Sequence, residues 1–212
     1  MTRRYYLMGV VGVGKSTLRE NLRQRFPEAS VYEEWPESLP PGGLHALGAL
    51  DDRRVQDIQT WIFTQLARKN ALVSADKAPM AIIDRSPLDT FAFYEQSLWS
   101  ERANQLLSAL RHHDPELPLA PGQLIFLRGD PQEIASRMDP VRGYTTDRVA
   151  AQQAAFDHLT ACLRPQGINI RTIDTQGLTP QEVADRTEGY LINAPYHPAN
   201  IQGAVEKLSA AL

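Results

Sequence analysis

Gly9-Val10-Val11-Gly12-Val13-Gly14-Lys15-Ser16 decides the fold of this chain. The stretch completes the pattern G-x-x-x-x-G-K-S, with an apolar run, Tyr5 to Met8, before it and a helical segment, Thr17 to Leu22, after it. Glycine admits positive φ and close backbone approach, so successive N–H groups and a helix N-terminus can surround phosphate oxygens. Gly9, Gly12, Val13, Gly14 and Thr17 supply that cradle, Lys15 a point charge and Ser16 a hydroxyl ligand for Mg²⁺. A nucleoside triphosphate such as ATP is the natural occupant. The alternative, a glycine-rich turn with a solvated lysine, does not account for the strand-to-helix setting.

Outward from the loop, short apolar runs alternate with longer segments of helical period, the pattern of a parallel sheet with covering helices. The spacing predicts strands at Tyr5 to Met8, Ser30 to Glu33, Met80 to Asp84, Leu124 to Leu127 and Ile168 to Ile173. Between the second and third, Val55, Ile58, Ile62, Leu66 and Val73 predict a long amphipathic helix over Asp51 to Ala75. Val149, Phe156, Leu159 and Leu163 predict another, and Thr179-Pro180-Gln181-Glu182 reads as a capping box. Leu39 to Leu50 and Pro115 to Gly122 read as loops too short to separate domains, so one domain over residues 1–212 is expected. A tail from Tyr190 to Leu212 either docks on the domain or makes a homodimer contact.

The 212 residues carry 22 basic and 25 acidic side chains, a net charge of −3, which lacks the footprint of a general nucleic-acid binder. A local basic groove stays open. The single cysteine, Cys162, excludes an internal disulfide framework and reads as a buried small hydrophobe. No stretch reaches the roughly 18 to 20 apolar residues of a membrane span, and the expected setting is the cytoplasm, with no membrane partner. His112-His113-Asp114 reads as a solvated helix end, since adjacent helical side chains do not face one another.

Three further clusters carry chemistry. In Ala81-Ile82-Ile83-Asp84-Arg85-Ser86 a strand delivers an acid and a base to the ligand edge of the sheet, Asp84 toward hydrated Mg²⁺ and Arg85 toward an anion or acceptor. Tyr32-Glu33-Glu34-Trp35-Pro36 puts two carboxylates and an aromatic ring at the same edge. One carboxylate can take a hydroxyl proton, and spacing does not choose between them. Arg128, Arg137, Arg142 and Arg148 surround an interruption at Met138 to Thr146 that reads as an arginine-bearing lid. The bland readings are a strand-end ion pair, a solvated turn and scattered surface arginines.

In that order, the glycine-rich loop, Glu33-Glu34-Trp35-Pro36, the helix with Gln59 and Arg68, Asp84-Arg85-Ser86 and the arginine segment resemble the deoxynucleoside kinases and, more distantly, the thymidylate kinases. The resemblance spans roughly residues 4 to 175. It implies a P-loop kinase fold: a five-stranded parallel sheet flanked by helices, with a lid at about 138–146. It further implies γ-phosphoryl transfer from Mg-ATP to a hydroxyl of a nucleoside or nucleotide. It gives Glu34 the role of base, with Glu33 as second candidate, and Arg85 acceptor and phosphate binding. Arg137 and Arg142 become lid arginines, and Arg68 the helix arginine near the acceptor.

Two departures bear on the acceptor. Trp35 stands where the family has proline directly after its glutamate, and Trp61 stands seven residues before Arg68, where the family's base-reading glutamine belongs, with Gln59 two earlier. The lid arginines are also offset by about 100° on a helix relative to the family spacing. These departures leave open a kinase of the phage type, acting on the hydroxymethyl group of 5-hydroxymethyluracil in DNA through a groove with basic rims near Arg3, Arg4, Arg53 and Arg54. A regulatory ATPase or switch without an acceptor is the reading from another class.

Overall fold

The computed structural model describes residues 2–37, 52–138 and 144–210, with only the helical backbone of residues 52–55. Five strands, β1 (Arg3–Met8), β2 (Ser30–Tyr32), β3 (Met80–Asp84), β4 (Gln123–Arg128) and β5 (Ile170–Asp174), form one sheet in the order β2-β3-β1-β4-β5. Every pairing in it is parallel. The strand expectations hold to within two residues, with β2 ending at Tyr32 and β5 beginning at Ile170.

The helices are α1 (Lys15–Arg25), α2 (Asp52–Ala75), α3 (Trp99–His113), α4 (Pro131–Ser136), α5 (Thr146–Leu163), α6 (Pro180–Asn193) and α7 (Ile201–Ala210). Right-handed crossovers place α1, on the way from β1 to β2, on the opposite face from α2, α3 and α5, whose connections run the other way across the sheet. α1 packs on α6, while α2 packs on α3 and α3 on α7. β1 is central, and the chain leaves it toward β2 while β4 is reached from β3 across it. The carboxyl ends on either side of β1 therefore form the crevice where open α/β sheets take ligands.

The strands are buried as near-continuous apolar runs, as a sheet covered on both faces requires. Leu7, Met8, Ile82, Ile83, Leu124, Ile125 and Leu127 are fully enclosed, and Phe126 stacks on Phe156 with ring centroids 5.8 Å apart. In α5 Val149, Phe156, Leu159 and Leu163 are all buried. α2 corrects the expected stripe: Ile58 and Ile62 are half-buried, and the enclosed positions are Gln59, Phe63, Gln65, Leu66, Ala67, Lys69, Asn70 and Val73. Four of those eight are polar, and each has a hydrogen-bond partner. Cys162 is half-buried rather than enclosed.

The expected capping box on α6 is present, with Thr179 Oγ1 accepting from Glu182 N while the Glu182 carboxylate accepts from Thr179 N. His112-His113-Asp114 is the exposed end of α3, as expected, while the body of α3 and a 3₁₀ segment at Pro87–Phe93 are additions to the sequence reading. The Leu39 to Leu50 loop, Arg142 and most of the lid segment lie outside the described residues. Among the described residues no helix is long and apolar enough to cross a membrane.

The tail docks on its own chain. Ala199 N donates to Gly122 O at 2.8 Å, Arg4 N donates to Tyr196 Oη at 2.9 Å, and Ser100 Oγ donates to Ser209 O at 2.7 Å. Ile201, Ala204, Val205 and Leu208 form the buried stripe of α7. Ile201→Ala is expected to lower unfolding free energy by about 3 kcal/mol, the cost of an enclosed aliphatic truncation. Urea unfolding followed by circular dichroism checks this, and a loss near zero would make the tail a surface appendage.

Candidate active site

At the end of β1 the chain turns through Gly9 (φ 139°), Gly12 (φ 83°) and Gly14 (φ 105°), all in the region that favours glycine. Gly9 is also needed for space, because a Cβ there would stand 2.5 Å from Leu127 O of the neighbouring strand. Gly14 is the N-cap of α1, so the free N–H groups of the first helical turn open into the loop. Lys15 is enclosed, and its Nζ donates to Gly9 O and Val10 O at 2.8 Å each. Burial lowers its pKa to about 8, with the Arg85 guanidinium adding to the effect.

The register of β1 on β3 pairs Leu7 with Asp84, which sets the next element of the site beside the loop. Ser16 Oγ donates to Asp84 Oδ2 at 3.2 Å, and Arg19 Nη1 donates to the same oxygen at 3.2 Å. Asp84 Oδ1 is buried and has no hydrogen-bond partner. A buried carboxylate oxygen left unpaired costs about 1–3 kcal/mol, which a ligand can recover. A hydroxyl and a carboxylate oxygen at this separation are hard donors that fit a small divalent cation. Among the described residues no group of three or more His, Cys, Asp or Glu is placed to hold a metal ion.

Among the described residues Arg85 is the non-glycine residue with positive φ, 66°, a conformation that costs about 1 kcal/mol for an L-residue. Its N–H donates to Leu7 O at 3.0 Å. The enclosed guanidinium donates through Nε to Glu34 Oε1, lies 3.7 Å from Asp89 Oδ2, and sits over the Phe93 ring at 5.3 Å. Its Nη1 has no hydrogen-bond partner. Asp89 caps the 3₁₀ segment by accepting from Ser86 N, and burial raises its carboxyl well above the usual range, against the pull of Arg85.

The two glutamates separate. Glu34 reaches Arg85 with its side chain 35% exposed, whereas Glu33 is 76% exposed and meets Arg19 at 3.6 Å. Beneath them Lys69 is enclosed, with its pKa lowered by burial to about 8, and donates to Glu34 O, Asp84 O and Arg85 O. Lys15, Ser16, Glu34, Asp84 and Arg85 are thus brought together.

The remaining expectations separate from that group. Gln59 accepts from Arg102 at 2.6 Å, while Arg68 pairs with Glu37, so they share no partner. Trp35 and Trp61, the two residues that depart from the family pattern, pack on one another with centroids 5.3 Å apart. Arg137 is the C-cap of α4, which ends at Ser136, so the helical offset between the two lid arginines is not carried by a described helix. It pairs with Glu133 at 3.4 Å and borders a cavity of about 390 Å³ with Gly12, Thr17, Leu178, Pro180 and Val183. Arg128 pairs with Asp157, and Arg148 lies over the Tyr144 ring. Arg4 binds Val73 O and Ser74 O at the amino ends of the strands, so it makes no rim for this crevice.

Arg19, Lys69 and Asp89 have no place in the sequence reading. Lys69 alone left a signal there, because it falls between Leu66 and Val73 at helical spacing, a charge on an otherwise apolar stripe.

A family model described as "AAA domain" matches residues 4–176. Thymidylate kinase from Candida albicans superposes with a TM-score of 0.63 at 17% identity, covering 93% of this chain and 97% of that one. Deoxyadenosine kinase from M. mycoides with bound dATP superposes with a TM-score of 0.63 at 15% identity, covering 89% and 98%. The fold is that of the P-loop kinases. A search by sequence among curated proteins finds no match.

Burial brings both enclosed lysines to about 8 from the ordinary lysine value of 10.5. Below pH 8 folded and unfolded chains are equally protonated there. Between about 8 and 10.5 the unfolded chain keeps a proton that the folded chain has lost, so stability contributed by these sites rises with pH. Denaturation midpoints between pH 7.5 and 9.5 are expected to show that rise, weakened in Lys15→Met.

Proposed function

The chain belongs to the AAA-domain family, and from that premise we propose that it is a phosphotransferase moving the γ-phosphoryl group of Mg-ATP to a hydroxyl of a nucleoside or nucleotide. One observation carries the reading: an enclosed lysine in a glycine-rich loop lies beside a half-satisfied aspartate and a Glu34–Arg85 pair, at adjoining strand ends. A hydrolytic switch needs the first two and has no use for the third. The relatives of the same fold are named as kinases of a deoxynucleoside and of a nucleotide, which supports the acceptor class.

In the proposed mechanism Lys15 exchanges the carbonyls of Gly9 and Val10 for phosphate oxygens, and the loop N–H groups hold the rest of the polyphosphate. Ser16 Oγ and Asp84 are the residues that would hold Mg²⁺, which neutralises developing phosphate charge. The 390 Å³ cavity beside Gly12 and Leu178 takes the donor base. Glu34, not Glu33, accepts the acceptor's hydroxyl proton, because it alone of the two reaches Arg85. Arg85 then faces the equatorial oxygens with Nη1, which makes no hydrogen bond and lies 3.7 Å from Asp89, and Arg137 approaches from the α4 side. Arg142 is assigned to the same lid as a second cation.

Phosphate transfer from labelled ATP to a panel of nucleosides, nucleotides and oligonucleotides containing 5-hydroxymethyluracil tests the reading. Stimulation by a small acceptor is expected. Stimulation by the oligonucleotide alone would move the acceptor to DNA, and ATP hydrolysis indifferent to every acceptor would make the protein a switch. Lys15→Ala should lower transfer by about 10²-fold or more, the scale of losing one preorganised charge. Glu34→Gln should lower kcat by about 10²-fold, with Glu33→Gln within about threefold of wild type. Equal losses in the two glutamine variants would remove the assignment of the base.

A further inference from the structure

We infer that Lys69 is a positioning residue of the phosphoryl-transfer site, its ammonium clamping together the main-chain segments that carry Glu34, Asp84 and Arg85. The inference rests on the proposed kinase activity and deepens it. Lys69 Nζ donates to Glu34 O at 2.9 Å, Asp84 O at 2.7 Å and Arg85 O at 3.4 Å. Three N–H donors meet three carbonyls, and the residue is 3% exposed.

Each of the three acceptors lies where the sheet ladder gives out. β2 pairs with β3 only as far as Tyr32 on Ile83, so Glu34 stands two residues beyond the last pair. Lys69 ties its carbonyl to β3 from that point. On the β3 side, Asp84 O and Arg85 O flank the Arg85 α-carbon, the one held at φ 66°. Leu7 O fixes the N–H of that residue, and Lys69 fixes the carbonyls before and after it. The distance between the carboxylate of Glu34 and the groups on Asp84 and Arg85 is thus set from a helix, α2, rather than by strand pairing.

The geometry separates binding from chemistry. Lys69 has no hydrogen bond to the glycine-rich loop, whose carbonyls are taken by Lys15. Loss of the clamp therefore shifts the base and the acceptor arginine while leaving the polyphosphate cradle in place. A displacement near 1 Å at a reacting group costs about 10²-fold in rate.

The test compares wild type, Lys69→Met and Lys69→Gln, the last keeping two donors but no charge. Each is measured for thermal unfolding, ATP affinity by calorimetry, and steady-state transfer to the acceptor that wild type uses best. The expected result for Lys69→Met is kcat lowered by about 10²-fold with ATP affinity within about threefold of wild type, and for Lys69→Gln an intermediate kcat. If Lys69→Met does not fold, Lys69→Gln is read by the same split between kcat and ATP affinity. Unchanged kcat in the folded variants overturns the inference. Parallel loss of kcat and ATP affinity also overturns it, by making Lys69 a general support of the fold. A wild-type protein that transfers to no acceptor instead overturns the kinase reading itself, and with it the role given to Lys69.

Discussion

The hydrogen bond from Arg85 N to Leu7 O is the point on which the site depends. It continues the parallel ladder of β1 on β3 one step past Asp84, and so places the residues after β3 beside the loop after β1. Because the strands are parallel, both segments leave the sheet at the same edge. Had β3 paired one residue out of step, Asp84 would point to the other face and Ser16 would lose its partner. The five-strand order, with β1 between β3 and β4, then makes room on its two sides for different parts: the Glu34–Arg85 pair toward β3 and β2, and the cavity toward β5 and α6.

Such convergence concentrates charge in a poorly hydrated place. Lys15, Lys69 and Arg85 are enclosed together with Asp84 and Asp89, and Glu34 and Arg19 close the group from the partly exposed side. Burial disfavours the charged forms of Lys15, Lys69 and Asp89, which is why the lysines fall and Asp89 rises. Asp84 Oδ1 and Arg85 Nη1, which accept or donate no hydrogen bond although Nη1 lies 3.7 Å from Asp89 Oδ2, show where the internal hydrogen bonding stops. A polyanion with its cation would meet one of each sign.

Much of the fold was legible because parallel strands buried on both faces read as continuous apolar runs, and Tyr5 to Met8, Met80 to Asp84 and Leu124 to Leu127 are such runs. The α2 stripe was misread because its buried side contains Gln59, Lys69 and Asn70, which hydrophobic periodicity scores as surface. Those residues are enclosed for their hydrogen bonds rather than their hydrophobicity. The same blindness hid Lys69 and Asp89, whereas Lys15 was found because glycines at fixed spacing announce it.

The sequence by itself determined the phosphate-cradling loop, the parallel sheet and the set of charged residues at strand ends, since each follows from local spacing and backbone preference. Only the tertiary structure decided which glutamate faces Arg85, that Trp35 meets Trp61, that Gln59 and Arg68 part company, and that the tail folds back onto β1 and α3. The physical reason is range. A glycine's φ or a helix cap is settled within a few residues, but the partner of a side chain depends on segments that meet only after the sheet has assembled, and no local pattern records that meeting.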